Sequence, residues 1–196
     1  DETACLRGLP RALLSPGTRE LLEALDPSAE VPVLVAGEDG EVQPLLSRLP
    51  GARRVRGADV LEGMSGPPWR ASTFRALTLR GAALRWGWPV LVVDAGPEVL
   101  LTAGSPAGVF AGGSVLPGLS AQLAALHAHT DLLPRVPIPD NLPDAFVTST
   151  ADAIQSGVVR TALAGLRAVT SPWQREHPGG RVVLAGPEAR ATPGLL

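Results

Sequence analysis

The chain has 196 residues, 45% of them hydrophobic and 18% charged, with a formal net charge of -2. That balance excludes a disordered chain and offers no basic surplus for nucleic acid, and no apolar run reaches the roughly 18 residues of a membrane span. Every basic residue counted as Lys+Arg is arginine and tyrosine is absent, which excludes a Walker-type lysine loop, a protein-kinase lysine and a Schiff base.

The opening "DETACLRGLPRALL" carries no signal-peptide pattern, and the lone Cys5 has no partner within the chain, so a reducing, cytoplasmic compartment is expected. "SPGTRELLEAL" reads as a short helix with Leu21, Leu22 and Leu25 on one face. "EVPVLVAG" (Glu30–Gly37) reads as a buried strand, "EVQPLLSRLPG" as a short helix weakened by Pro44, and "ARRVRGADV" as holding a brief strand. "LEGMSGPPWRAS" is a loop. It places a boundary between a partial lobe over 1–71 and a second lobe over 72–196.

The second lobe is more regular. "TFRALTLRGAALRWG" predicts a helix with Phe74, Leu77, Ala82 and Leu84 apolar, closed by Gly87. "WPVLVVDAG" is the strongest strand, followed by "EVLLTAG" and "GVFAGGSVL" across the turn "GSPAG". "PGLSAQLAALHAHTDLL" predicts a helix with its proline early. There His127 and His129 are two apart and so face different ways, while His177 lies in the turn "REHPGG"; neither spacing makes a metal site. "PRVPIPDNLPDAF" is too proline-rich for regular structure. "STADAIQSGVVRTALAGLRAVTSPW" is the longest helix, capped by Ser149 or Thr150, and "GGRVVLAGPE" is a last strand. The order of elements predicts an α/β lobe with a mixed sheet.

Three local patterns carry chemistry. Asp94 ends the most apolar strand beside Ala95-Gly96, where α/β folds place ligands; the same residue also suits a turn cap. Gly112-Gly113 and Pro117-Gly118 lead into a helix whose first N–H groups suit an anion, or simply start the helix. Thr150 and Gln155 sit on successive turns of a helix start, where Thr150 also suits a cap.

Taken in order, "RALTLRGAALRWGWPVLVVDAG", "FAGGSVLPGLSAQLAAL", "TDLLPRVPIPDNLP", "STADAIQSGVV" and "PGGRVVLAG" resemble the type III pantothenate kinases, particularly the cyanobacterial branch. The resemblance covers about Phe74 to Gly186; the first lobe matches only through "VPVLVAG" and "LLSRLPGARRVRGADV". It implies ribonuclease-H-like lobes of the acetate-kinase, sugar-kinase and actin-like fold, with the first lobe truncated here. It also implies a homodimer that phosphorylates pantothenate from ATP with Mg²⁺ and a monovalent cation, potassium or ammonium. On that resemblance Asp94 holds the monovalent cation, Gly96 and Gly113 line the ATP site, and Arg75 and Thr150 contact pantothenate.

The resemblance breaks at specific residues. Nothing in Asp1–Leu25 matches the family's Gly-Asn-Thr/Ser phosphate turn. Where the family has Gly-x-Asp-Arg this chain reads "STFR", so Phe74 stands at the catalytic base. The Asp-x-Gly-Thr turn reads "DAGP", and Pro97 offers neither hydroxyl nor N–H. The late Gly-Gly-Asp reads Gly186-Pro187-Glu188. The sequence therefore predicts a type III pantothenate kinase-like protein that is impaired or inactive; the alternative is a non-catalytic binding or dimerisation module on the same fold. An unrelated α/β enzyme shares the pattern of elements alone. Asp94 is expected near Gly113 and Thr150, and pairing is expected through Leu119, Leu123, Leu126 and Leu133.

Overall fold

The computed structural model describes residues 34–36, 53–61 and 73–189. The sequence expectations for the first helix, for 41–51 and for the boundary loop over 62–72 lie outside these residues. The chain divides into two compact units, Asp1–Arg56 and Gly57–Leu196. In the first, β1 (Leu34–Ala36) pairs in parallel with β2 (Arg53–Val55), both within segments read as strands. The second opens with a short helix, α1 (Gly57–Val60), which the sequence did not signal.

The second unit is built on a four-stranded sheet of order β5-β4-β3-β6. β3 (Val90–Ala95), β4 (Glu98–Gly104) and β5 (Phe110–Pro117) form an antiparallel meander, and β6 (Arg181–Ala185) returns parallel to β3. The sheet is thus mixed, as its sequence predicts. Strand alternation splits β3 between two cores. Leu91 and Val93 join Val99, Leu101, Leu119, Leu123, Ile154, Val158, Val159, Leu163 and Leu166 on one face. Val90 and Val92 join Leu61, Ala76, Leu79, Ala82 and Ala83 on the other. A strand buried on both faces must be apolar throughout, which is why Val90–Val93 was the clearest signal in the sequence.

On the second face lies α2 (Thr73–Trp86). Its buried residues are Thr73, Arg75, Ala76, Leu79, Ala82 and Ala83, whereas Phe74 is 58% and Leu84 69% exposed. Of the apolar positions noted in the sequence, Ala82 is buried whereas Phe74 and Leu84 are not. The alanines win because their small side chains let the helix backbone approach the sheet, and the buried Leu79 fills the space between them.

The first face carries α3 (Leu119–Ala128) and α4 (Thr150–Glu176). Pro117 ends β5 rather than opening α3, whose N-cap is Gly118. Ser149 caps α4 by accepting a hydrogen bond from the Asp152 N–H, and the helix continues past Pro172 to Glu176, longer than expected. Between them the proline-rich 130–149 segment is an ordered strap without regular structure. Prolines supply no N–H, so the strap is held through its carbonyls. Gln155 Nε2 donates to Pro137 O at 2.9 Å, Ser156 Oγ to Asp144 O at 2.7 Å and Arg160 Nη2 to Pro143 O at 2.7 Å.

Glycine is required where β4 turns into β5. A Cβ on Gly104 would overlap the Trp88 ring, and Gly108, at φ 78°, packs against the same indole.

Candidate active-site turns around Asp94

Asp94 is the penultimate residue of β3, paired with Leu100 of β4 and Ala185 of β6. Alternation puts its side chain on the α2 face, with Val90 and Val92. It is half-buried beneath the turn that follows β6: a Cβ on Gly186, whose φ is 96°, would run into Asp94 Oδ1 and the Ala95 backbone.

Three chain reversals meet here. The β3–β4 turn contains Gly96 and Pro97, and the Pro97 carbonyl accepts the Gly118 N–H at 2.7 Å. The start of α3 follows Gly118, where a Cβ would overlap the Gly96 carbonyl oxygen. The third is the turn over Gly186–Ala189, in which the Glu188 N–H donates to Ala95 O at 2.8 Å. The Glu188 side chain then crosses to α3. Its Oε2 accepts the Leu119 N–H at 3.0 Å and its Oε1 accepts the Ser120 hydroxyl. Sequence reading had registered Glu188 only as a departure from Gly-Gly-Asp. Its contacts span 69 and 68 residues, and no local pattern encodes them.

Arg75 is 4% exposed and reaches from α2 to β4. Its Nε donates to Thr102 Oγ1 at 3.0 Å and its Nη2 to Leu101 O at 2.9 Å, with the guanidinium carbon 5.7 Å from the Phe110 ring centre. Desolvation by burial lowers its pKa below the ordinary arginine value. Gly113 belongs to this cluster: a Cβ there would overlap Arg75 Nη2 and the Leu101 carbonyl. Thr102 and Phe110 are partners that the sequence did not reveal, because they depend on strand register.

The remaining positions are apart. Gly113 lies two strands over from β3 and two residues off the register of Asp94, about 12 Å away. Thr150 is exposed at the start of α4, on the opposite sheet face from Asp94. Gly165, farther along α4, lines a cavity of about 230 Å³ with Ala95. Thr150 is fifteen residues before it, about 22 Å along the helix axis. The expected grouping of Asp94, Gly113 and Thr150 is thus not found within one protomer. Phe74, at the position expected to hold a base, turns its ring to solvent. A second cavity of about 460 Å³ lies between α3 and the strap, and neither cavity includes Asp94, Arg75 or Thr150.

A nucleotide phosphate with its cation needs clustered oxygen ligands and free N–H or O–H donors. Among the described residues no group of three or more His, Cys, Asp or Glu side chains is placed to hold a metal ion. Pro97 supplies no donor, and the Gly118 and Leu119 N–H groups are already engaged. As arranged, these turns do not fit that ligand. Among the described residues, no helix is long and apolar enough to cross a membrane.

A family model described as type III pantothenate kinase matches residues 75–171. A type III pantothenate kinase from Synechococcus elongatus is 33% identical over 177 residues, which are 89% of this chain and 70% of the relative. The chain belongs to the type III pantothenate kinase family. Another member, from Gloeobacter violaceus, is 44% identical over 138 residues, or 70% of this chain. The chain spans 59% of that relative's length and 46% of one from a Synechococcus strain. A crystal structure from Campylobacter jejuni, described as a conserved putative Baf family transcriptional activator, superposes with a TM-score of 0.61 at 15% identity. It covers 91% of this chain and 77% of its own, and supports the fold. The mixed sheet is consistent with the actin-like architecture of the pantothenate kinase family.

Proposed function

We propose that this chain is a type III pantothenate kinase by descent that transfers phosphate from ATP to pantothenate slowly or not at all. The carrying observation is the closed turn at Asp94. The strand and carboxylate are present, but Pro97 stands where the resemblance calls for a phosphate donor, and the Gly118 and Leu119 N–H groups are taken by Pro97 O and the Glu188 carboxylate. Phe74 adds to this, since a benzyl group accepts no proton and loss of a general base costs about 10²–10⁴ in rate.

In this reading ATP, Mg²⁺ and a monovalent cation are the family's requirements, and Asp94 and Gly96 are the retained parts of their site. Arg75 and Thr150 are retained pantothenate contacts. The two lie on opposite sides of the sheet, so a ligand touching both requires a second copy to supply Thr150. That favours a homodimer, though not through the leucines first expected. Leu119 and Leu123 are each 3% exposed and belong to the core, and Leu126 and Leu133 pack against it. On the strap, Leu132, Leu142 and Phe146 are exposed, at 92%, 43% and 97%. These residues also support a second reading, a non-catalytic dimerisation module.

Calorimetric titration with pantothenate, with and without a non-hydrolysable ATP analogue, tests the proposal. Binding of pantothenate that weakens on Thr150→Ala supports the kinase lineage of the site. No binding at millimolar pantothenate favours the module.

A further inference from the structure

The cavity of about 460 Å³ between α3 and the strap takes no part in the site around Asp94. Its walls are mainly apolar, with Leu123 and Ala124 on α3 and Val136 and Ile138 on the strap. Leu123 and Val136 belong to the core and Ile138 packs against it, so this part of the wall is fixed before any ligand arrives. Two polar side chains also line the space. The Ser120 hydroxyl is committed to the Glu188 carboxylate. Arg135 is exposed, and its guanidinium makes no hydrogen bond or ion pair with any of the described residues. None of the lining residues is acidic. An uncommitted cation thus stands beside an apolar cleft within the range of roughly 300–1,000 Å³ that takes small organic molecules.

We propose that this cleft binds a small aliphatic carboxylate, with its chain between α3 and the strap and its carboxylate on Arg135. The guanidinium fork matches a carboxylate through two parallel N–H···O bonds. An amine would be repelled there, and a polyphosphate would meet one cation and an apolar wall. The site is independent of the kinase reading, because it includes none of Asp94, Arg75 or Thr150.

The experiment is an amide NMR titration of the full chain with butyrate, pentanoate and hexanoate, with hexanol as the neutral counterpart. Hexanoate should give saturable shifts at 120–124, 135, 136 and 138. Each added CH₂ should tighten binding by up to about fourfold, the equivalent of its burial. Arg135→Gln should weaken hexanoate about tenfold and leave hexanol unchanged, since it removes a charged hydrogen-bonding partner. Ala124→Leu changes an exposed helix position, fills the cleft and should abolish binding of both, with circular dichroism verifying the fold. No saturable shift with hexanoate would overturn the proposal. So would an Arg135→Gln chain that binds hexanoate as the parent does, or an Ala124→Leu chain that still binds it. Light scattering is run on the same samples. A dimer dispersed by hexanoate or by Ala124→Leu would assign the cleft to a second copy, and tighter binding of an acetylated leucine-ending peptide than of hexanoate would assign it to a polypeptide end. Either result also overturns the proposal.

Discussion

Arg75 offers a sharp test of how the chain uses a residue retained from its family. If it only awaited a substrate, replacing it would cost little stability. The structure instead makes it a buried strut from α2 to β4, with Thr102 Oγ1 and Leu101 O as acceptors. Arg75→Met keeps much of the apolar stem but leaves the Thr102 hydroxyl, on a residue 3% exposed, without this donor. Hydrogen bonds to charged groups contribute about 1.5–3 kcal/mol each, and relief of guanidinium desolvation offsets part of two such bonds. The expected net loss is about 2 kcal/mol. Thr102→Val should cost about 1–2 kcal/mol, and the double variant should be less damaged than the sum, with a coupling of about 1 kcal/mol. Burial lowers the Arg75 pKa, so the unfolded chain binds that proton more tightly. This favours folding only as pH rises toward the ordinary arginine value, and the losses should be independent of pH around neutrality. Urea unfolding followed by circular dichroism measures all of this. An Arg75→Met chain within about 0.5 kcal/mol of the parent, or strict additivity with Thr102→Val, would refute the strut.

Gly104→Ala drives a methyl into the Trp88 ring and should cost about 1–3 kcal/mol, read as a lowered melting temperature by tryptophan fluorescence. Ser149→Ala removes the α4 cap and should cost about 1 kcal/mol in the same measurement. Ser156→Ala should speed hydrogen exchange in the strap near Asp144 while leaving the sheet protected, since the bond to Asp144 O ties strap to helix. Phe146→Glu should shift the chain toward monomer in light scattering without altering its melting temperature at low concentration, because the side chain is 97% exposed in the single protomer.

Much of the second unit was legible because its signals are local. The apolar run between Pro89 and Asp94 reads as a strand, and the structure buries it on both faces. Ser149 with Asp152 in the first turn marks the start of α4. What escaped the sequence depends on contacts between distant segments. Whether α2 buries its alanines or its larger residues is decided by how closely it must approach Val90 and Val92. The burial of Arg75 depends on the register that sets Thr102 opposite Gly113. Glu188 acts 69 residues from Leu119, across a sheet that must first assemble. Leucine spacing in α3 was visible, but the same spacing serves a core or an interface, and Val93 and Leu163 had already claimed it for the core.

The most direct test of impaired kinase descent is pantothenate-dependent ATP consumption with Mg²⁺ and potassium. It should be run on the unmodified chain, Phe74→Asp and Pro97→Thr. The first variant restores a proton acceptor beside Arg75, the second a hydroxyl and an N–H at the turn. Each repairs one part of a site whose parts act together, and misplacement of phosphate alone can cost about 10²-fold. The account predicts little or no pantothenate-dependent turnover for any of the three. Robust turnover by the unmodified chain would contradict it, and would mean that Phe74 and Pro97 do not occupy the positions assigned to them.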